Sequence, residues 1–182
     1  GGKIPGHPPR HSCNALTVAL LLSFDTATSH LAVVLSNDAD PIASRIDATV
    51  VLSHAEKLNV FVEAVMLEAG RSLDELDAVA VGIGPGSYTG LRIGLSAAKG
   101  LCFALDKPLI GLGTLDVLLA EFMRAGRKLE ANDTVVPMVD ARRMEVYARN
   151  YGSDLKPINS TAPLILDSAW CEARAARTFV FG

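Results

Sequence analysis

The chain has 182 residues, 49% of them hydrophobic and only 5% aromatic, with a formal net charge of −3. That is enough apolar residue for a core built from Ala, Val, Leu and Ile, which excludes wholesale disorder. A mildly acidic chain also lacks the basic face that a self-sufficient nucleic-acid binder needs. The three cysteines, Cys13, Cys102 and Cys171, are widely spaced and form no CxxC pair, so a disulfide framework or zinc module is not expected and a reducing, cytoplasmic setting fits.

Residues 1–14 hold three Pro, three Gly and two His without apolar period. They read as a disordered lead or a cloning remnant. His7, His11 and Cys13 could in principle hold a metal, but in a tail this rich in Pro and Gly chance explains them better. Ala15–Leu22 mimics a signal peptide behind Lys3 and Arg10. A buried first strand explains it better, because Leu31–Leu35 follows at hairpin distance. No run reaches the roughly 18 apolar residues of a membrane span, and no membrane association is expected.

Strands are predicted at Val18–Phe24 and Leu31–Leu35, with a third at Ile42–Val51. A helix follows over His54–Ala69. Its apolar residues Leu58, Phe61, Val62, Val65 and Met66 fall at i, i+3, i+4, i+7 and i+8. Ser53 and Glu56 form a candidate capping box, and Gly70 ends the helix. Ala78–Ile83 is a short apolar strand suited to the middle of a covered sheet. It runs into Gly84-Pro-Gly-Ser-Tyr-Thr-Gly90. A second helix over Leu91–Leu105 is apolar nearly all round and is expected to be deeply buried, with Cys102 as plain core. Pro108–Gly111 is a strand, and Leu115, Leu118, Leu119 and Phe122 mark a third helix. Val135–Val139 and Glu145–Tyr151 are strands around a charged turn, and Phe179–Phe181 is a last strand. The 30 C-terminal residues give little else.

An internal echo links Leu20–Asp25 with Val135–Asp140, each a strand ending in Asp before a polar turn and a returning strand. Such an echo suggests a duplicated domain, the second copy incomplete. Domain limits of 15–112 and 113–182 follow from it.

Two segments carry candidate chemistry. In the glycine segment Gly84, Gly86 and Gly90 surround Ser87 and Thr89 at a helix start, where free amides could hold an anion. It is neither a Walker A loop nor a dinucleotide fingerprint nor a nucleophile elbow. Tight helix–sheet packing without a ligand accounts for it equally well. In the second segment Asp25, Thr26 and Thr28 at the first hairpin could orient hydrated Mg²⁺ and phosphate, or simply make the turn. No HExxH or other metal spacing is present. Arg142 and Arg143 could meet phosphate, with salt bridging as the simpler role.

Val79-Ala-Val-Gly-Ile-Gly-Pro-Gly-Ser-Tyr-Thr-Gly-Leu-Arg-Ile-Gly94 with Ala97–Gly100 resembles the signature of the bacterial TsaB (YeaZ) family. Leu22–Thr28, His54–Leu58 and Val139–Tyr147 resemble its opening strand, first helix and second hairpin, in the same order. The resemblance implies an α/β fold of the actin-like, sugar-kinase and Hsp70 kind (ASKHA, RNase H-like) with two related subdomains. It implies a role in making N6-threonylcarbamoyladenosine at position 37 of tRNA. There a paralogue, TsaD, is the catalyst, and TsaE is an ATPase. TsaD-like chains carry two metal-binding His, and Thr114 and Leu118 stand at the matching positions here. Leu cannot ligate a metal, so the chain is expected to be a non-catalytic partner with no catalytic or metal residues. It is expected to hold no cofactor tightly, with ATP or ADP and Mg²⁺ belonging to the assembled complex. His54, Leu58, Val60, Phe61, Ala64, Val65, Leu91 and Leu95 are expected to line a docking face for a TsaD-like paralogue, or for a second copy when the chain is alone. RNA is expected to be met only through the complex. The alternatives are a self-sufficient nucleotide-dependent phosphotransferase or ATPase, or a metalloprotease-like (glycoprotease) enzyme of the same fold. A secreted binding module would require the N-terminal segment to be a signal.

Overall fold

A computed structural model describes residues 18–48, 54–173 and 177–182. The N-terminal segment with His7, His11 and Cys13 lies outside them, as do Ser53 of the capping box and the end of the Ile42–Val51 run.

Alternation fixes the first three strands, β1 (Leu20–Asp25), β2 (Leu31–Asn37) and β3 (Asp40–Asp47). In β1, Leu20, Leu22 and Phe24 are buried while Leu21, Ser23 and Asp25 are half-covered. β2 repeats this with Leu31, Val33 and Leu35, and the antiparallel register sets Leu22 opposite Leu35 and Phe24 opposite Val33. One face of the hairpin is therefore wholly apolar. Helix α1 (His54–Glu68) lays Leu58, Val62, Val65 and Met66 on that face. The chain then turns at Gly70, whose φ of +62° suits a residue without a side chain.

A 3₁₀ turn at Leu73–Glu75 leads to β4 (Ala78–Gly84), which pairs parallel to β1. Helix α2 (Tyr88–Leu105) returns over the same face as α1 to β5 (Leu109–Gly113), parallel to β4. The sheet order is β3-β2-β1-β4-β5. α2 differs from its expected deep burial. Its buried residues are Gly90, Gly94, Ala98 and Cys102, one small residue every fourth position. That narrow stripe lets the helix sit close to the sheet, and the opposite side is open, with Phe103 92% exposed.

Helix α3 (Thr114–Arg124) touches β4 and β5 and also the first strand of a second sheet, β6 (Thr134–Arg142). β6 pairs antiparallel with β7 (Glu145–Ala148), and β7 pairs antiparallel with β8 (Ala162–Ile165). After the short helix α4 (Ser168–Glu172), β9 (Thr178–Phe181) pairs parallel to β6. The order β8-β7-β6-β9 reproduces β3-β2-β1-β4 strand for strand and direction for direction, with α4 in the place of α1. The echo at Asp25 and Asp140 is thus matched by topology. Each half keeps its own core. The first runs from Leu20 to Leu105. The second lies on both faces of β6, with Val135, Tyr151, Phe179 and Phe181 on the side of α3 and Val136, Met138 and Trp170 on the side of α4.

The β8 strand, α4 and the 3₁₀ turn are additions to the elements expected from sequence. The run to Tyr151 ends as a strand at Ala148, with Tyr151 joining Val135 and Pro157 by isolated bridges.

Candidate functional site

The two candidate segments, some 60 residues apart in sequence, form one corner. The β1–β2 turn packs directly onto the start of α2. The Thr26 hydroxyl donates to the Gly90 carbonyl at 2.8 Å, and the Ser87 N–H donates to the Ala27 carbonyl at 2.6 Å. Thr26 and Ala27 are both fully buried. A Cβ built on Gly86 would overlap the Ala27 carbonyl oxygen, and one on Gly90 the Thr26 carbonyl oxygen. A Cβ on Gly94 would meet the Thr26 hydroxyl. These three glycines are therefore required by the close approach of hairpin and helix. Gly84 serves differently, through a φ of +96° where β4 leaves the sheet.

The same contacts consume donors that an anion would need. Ser87 caps α2 by accepting from Gly90 N–H at 3.2 Å. The Thr26 hydroxyl is spent on the Gly90 carbonyl, and the Thr26 and Ala27 carbonyl oxygens beside it repel phosphate oxygens. Asp25 closes its own turn, its Oδ1 accepting from Ala27 N–H at 2.5 Å, and its carboxylate lies against Gly82. The Thr28 hydroxyl accepts from His30 N–H at 3.2 Å.

At the start of α3, Thr114 is buried and its hydroxyl has no hydrogen-bond partner among the described residues. Two residues on, Asp116 accepts from the Tyr151 hydroxyl at 2.6 Å and from Arg149 at 3.3 Å. Burial, and then the bond to Asp116, hold the Tyr151 phenol above its ordinary pKa. This cluster pins α3 to the second sheet, and sequence reasoning missed it because its members lie about 35 positions apart. No group of three or more His, Cys, Asp or Glu among the described residues converges as a metal site. Burial likewise pushes the Cys102 thiol up, and its Sγ donates to the Pro108 carbonyl at 3.6 Å. No helix among the described residues is long and apolar enough to cross a membrane.

The expected docking residues divide by burial. Leu58 and Val65 are 2% and 0% exposed and belong to the core, so they offer nothing to a partner. Phe61 and Leu95 pack partly against that core, and Ala64 and Leu91 are half-covered. Val60 is open at 58%, and Leu67, one heptad on, at 83%. His54 opens α1. The outward stripe of α1 is therefore Val60, Ala64 and Leu67, on the side away from Leu58 and Val65.

Two sheets of matching strand order, each with an Asp where its first strand enters the hairpin, define a protein of the actin-like, sugar-kinase and Hsp70 class. Ethanolamine utilization protein EutJ from Carboxydothermus hydrogenoformans shares this fold at a TM-score of 0.50 and 15% identity, over 84% of this chain and 54% of that one. Residues 48–176 match the family described as TsaD, tRNA N6-adenosine threonylcarbamoyltransferase. The tRNA threonylcarbamoyladenosine biosynthesis protein TsaB of Escherichia coli is 36% identical over 137 residues, covering 74% of this chain and 55% of that protein. A Pseudomonas aeruginosa crystal structure, described as an uncharacterized protein similar to peptidase YeaZ, superposes at a TM-score of 0.72 with 32% identity, over 89% of this chain and 74% of the other. The chain belongs to the TsaB (YeaZ) family. It spans about half the length of the curated TsaB relatives it matches.

Proposed function

We propose that the chain is a non-catalytic scaffold subunit that supports a TsaD-like catalyst in forming N6-threonylcarbamoyladenosine at position 37 of tRNA. The observation that carries this reading is the unburied apolar side of the helix pair. Val60, Ala64 and Leu67 on α1, with Phe103 on α2, face away from a core that Leu58, Val62, Val65 and Cys102 already fill. A monomer gains nothing from such a surface, whereas two helices meeting two equivalent helices bury it. The paralogue supplies the equivalent pair, and a second copy of the chain substitutes for it as a two-fold homodimer. A TsaE-like ATPase joins the assembled pair, and tRNA is met through the assembly because this chain is acidic overall.

Two further observations support a role without catalysis. Thr114 and Leu118 stand at the two metal-binding positions, and neither offers an imidazole. The Asp25–Gly90 corner lends a nucleotide phosphate no support, because the Ser87 and Gly90 amides already donate to the Ala27 carbonyl and the Ser87 hydroxyl. We assign ATP or ADP and Mg²⁺ to the assembled complex and not to this corner.

The test uses sedimentation of the chain alone and with a TsaD-family catalyst. Val60 is exposed, so Val60→Glu should leave the melting temperature almost unchanged. It should weaken both associations by about 30-fold, the effect of losing about 2 kcal/mol at an interface centre. Unchanged association overturns the reading, and so does tight ATP–Mg²⁺ binding with turnover by the chain alone in a calorimeter.

A further inference from the structure

The hairpin joining β6 to β7 is unusual at its tip. Arg142, Arg143 and Met144 have φ values of +67°, +55° and +66°, three consecutive non-glycine residues in the left-handed region. Side chains with a Cβ are strained there. Asp140 secures the entry, its Oδ1 accepting from the Arg142 N–H at 2.8 Å. The effect is to hold two arginines and a methionine out from the sheet, with Met144 90% exposed.

Arginines elsewhere among the described residues have work within the fold. Arg45, Arg71, Arg149 and Arg177 are in ion pairs with carboxylates. Arg92 lies over Tyr88 and Arg127 over Phe122. Arg124 sits in the last turn of α3, where its charge complements the helix dipole. Arg142 and Arg143 form no ion pair with Asp140, Glu145 or any other described carboxylate, although two carboxylates lie within three residues of them. The salt bridging expected from sequence is thus missing among the described residues, and both forked guanidiniums remain available to an external anion.

We propose that this tip is the chain's contact with the phosphodiester backbone of RNA, Arg142 and Arg143 each taking a phosphate and Met144 resting against a ribose or base face. The inference rests on the scaffold reading, which brings RNA to the assembly. It adds that an acidic chain contributes to RNA binding through one local cationic point. Guanidinium forks match phosphate oxygens in a bidentate way. An exposed thioether beside them suits a nucleotide, which offers an apolar face next to its charge, better than it suits an acidic polypeptide.

The experiment measures binding of unfractionated tRNA by fluorescence anisotropy across a salt series. The samples are the chain mixed with a TsaD-family catalyst and, at low ionic strength, the chain alone. Association of the two proteins is followed by sedimentation of the same mixtures. Arg142→Gly with Arg143→Gly removes both charges while easing the positive φ, so the hairpin keeps its shape. Arg142→Lys with Arg143→Lys keeps the charge. The glycine pair should lower tRNA affinity about tenfold and flatten the slope of log K against log salt by about 0.7 for each phosphate no longer neutralised. The lysine pair should restore most of both. Equal affinity and slope for the wild type and the glycine pair overturn the proposal, whether or not the two proteins associate. So does arginine-dependent binding of polyglutamate as tight as that of tRNA, which would make the partner an acidic polypeptide. Failure of the proteins to associate shows in sedimentation and counts against the scaffold reading alone.

Discussion

Gly90 and Gly100 lie on the same helix and make opposite demands. At Gly90 a methyl group would run into the Thr26 carbonyl, while at Gly100 nothing lies within 4 Å. Gly90→Ala should cost at least about 1–3 kcal/mol by forcing hairpin and helix apart. Gly100→Ala should stabilise by about 0.5–1 kcal/mol through helix propensity alone. Chemical denaturation of the two variants checks both signs. Arg177 makes a second residue-scale case. Its guanidinium, which donates to Asp133 at 2.6 Å and 3.1 Å, holds that carboxyl below the usual carboxylate range, helped by the Glu130 N–H. A depressed folded-state pKa stabilises the fold above the unfolded value of about 4 and loses that contribution as pH falls through the folded value. Arg177→Met should therefore lower stability at about pH 6 and flatten its fall toward acid, so that the two proteins converge as pH drops below the carboxylate range. Urea titrations between about pH 3 and pH 6, the span around that carboxylate value, read this directly, and coincident profiles would contradict it.

Among the elements, those with a strong period are legible in the sequence. β1, β2, α1 and β4 lie within a residue or two of their expected positions, because alternation and the i, i+3, i+4 pattern each report one buried face. α2 is legible in position but not in burial. Apolar residues on every side read as a buried helix, while only the Gly90–Gly94–Ala98–Cys102 stripe is buried and its flanks, such as Ile93 and Leu101, are half-covered. Composition reports that a surface is apolar, and it does not say whether this chain or another covers it. α4 and β8 leave almost no signal. β8 has four mostly exposed residues including Pro163, and α4 is five residues whose one clear marker is the cap from Asp167 to the Trp170 N–H at 2.7 Å. The glycine corner is visible as a motif, but its partner at Thr26 is not. Hairpin and helix are joined largely by backbone atoms, which any sequence possesses.

For the whole molecule, the doubled architecture keeps two cores apart. No described residue of the core spanning Leu20–Leu105 is shared with the clusters around β6, and α3 touches both sheets. Leu22 is 0% exposed at the centre of the first core, so Leu22→Ala should remove about 2–5 kcal/mol. The damage should fall on one half. Hydrogen exchange should show β1, β2 and β4 amides losing protection while Val135–Val139 keep most of theirs. Equal loss throughout would mean that α3 couples the halves into a single cooperative unit.

The seal at the glycine corner also has a mechanical side. The Thr26 and Ala27 carbonyls meet Gly86 and Gly90 with no side chain interposed, so a push on the beginning of α2 passes undamped into the first hairpin. A protein leaning on that helix would shift Asp25 and the strands behind it like a stiff lever, without any rotamer having to change on the way.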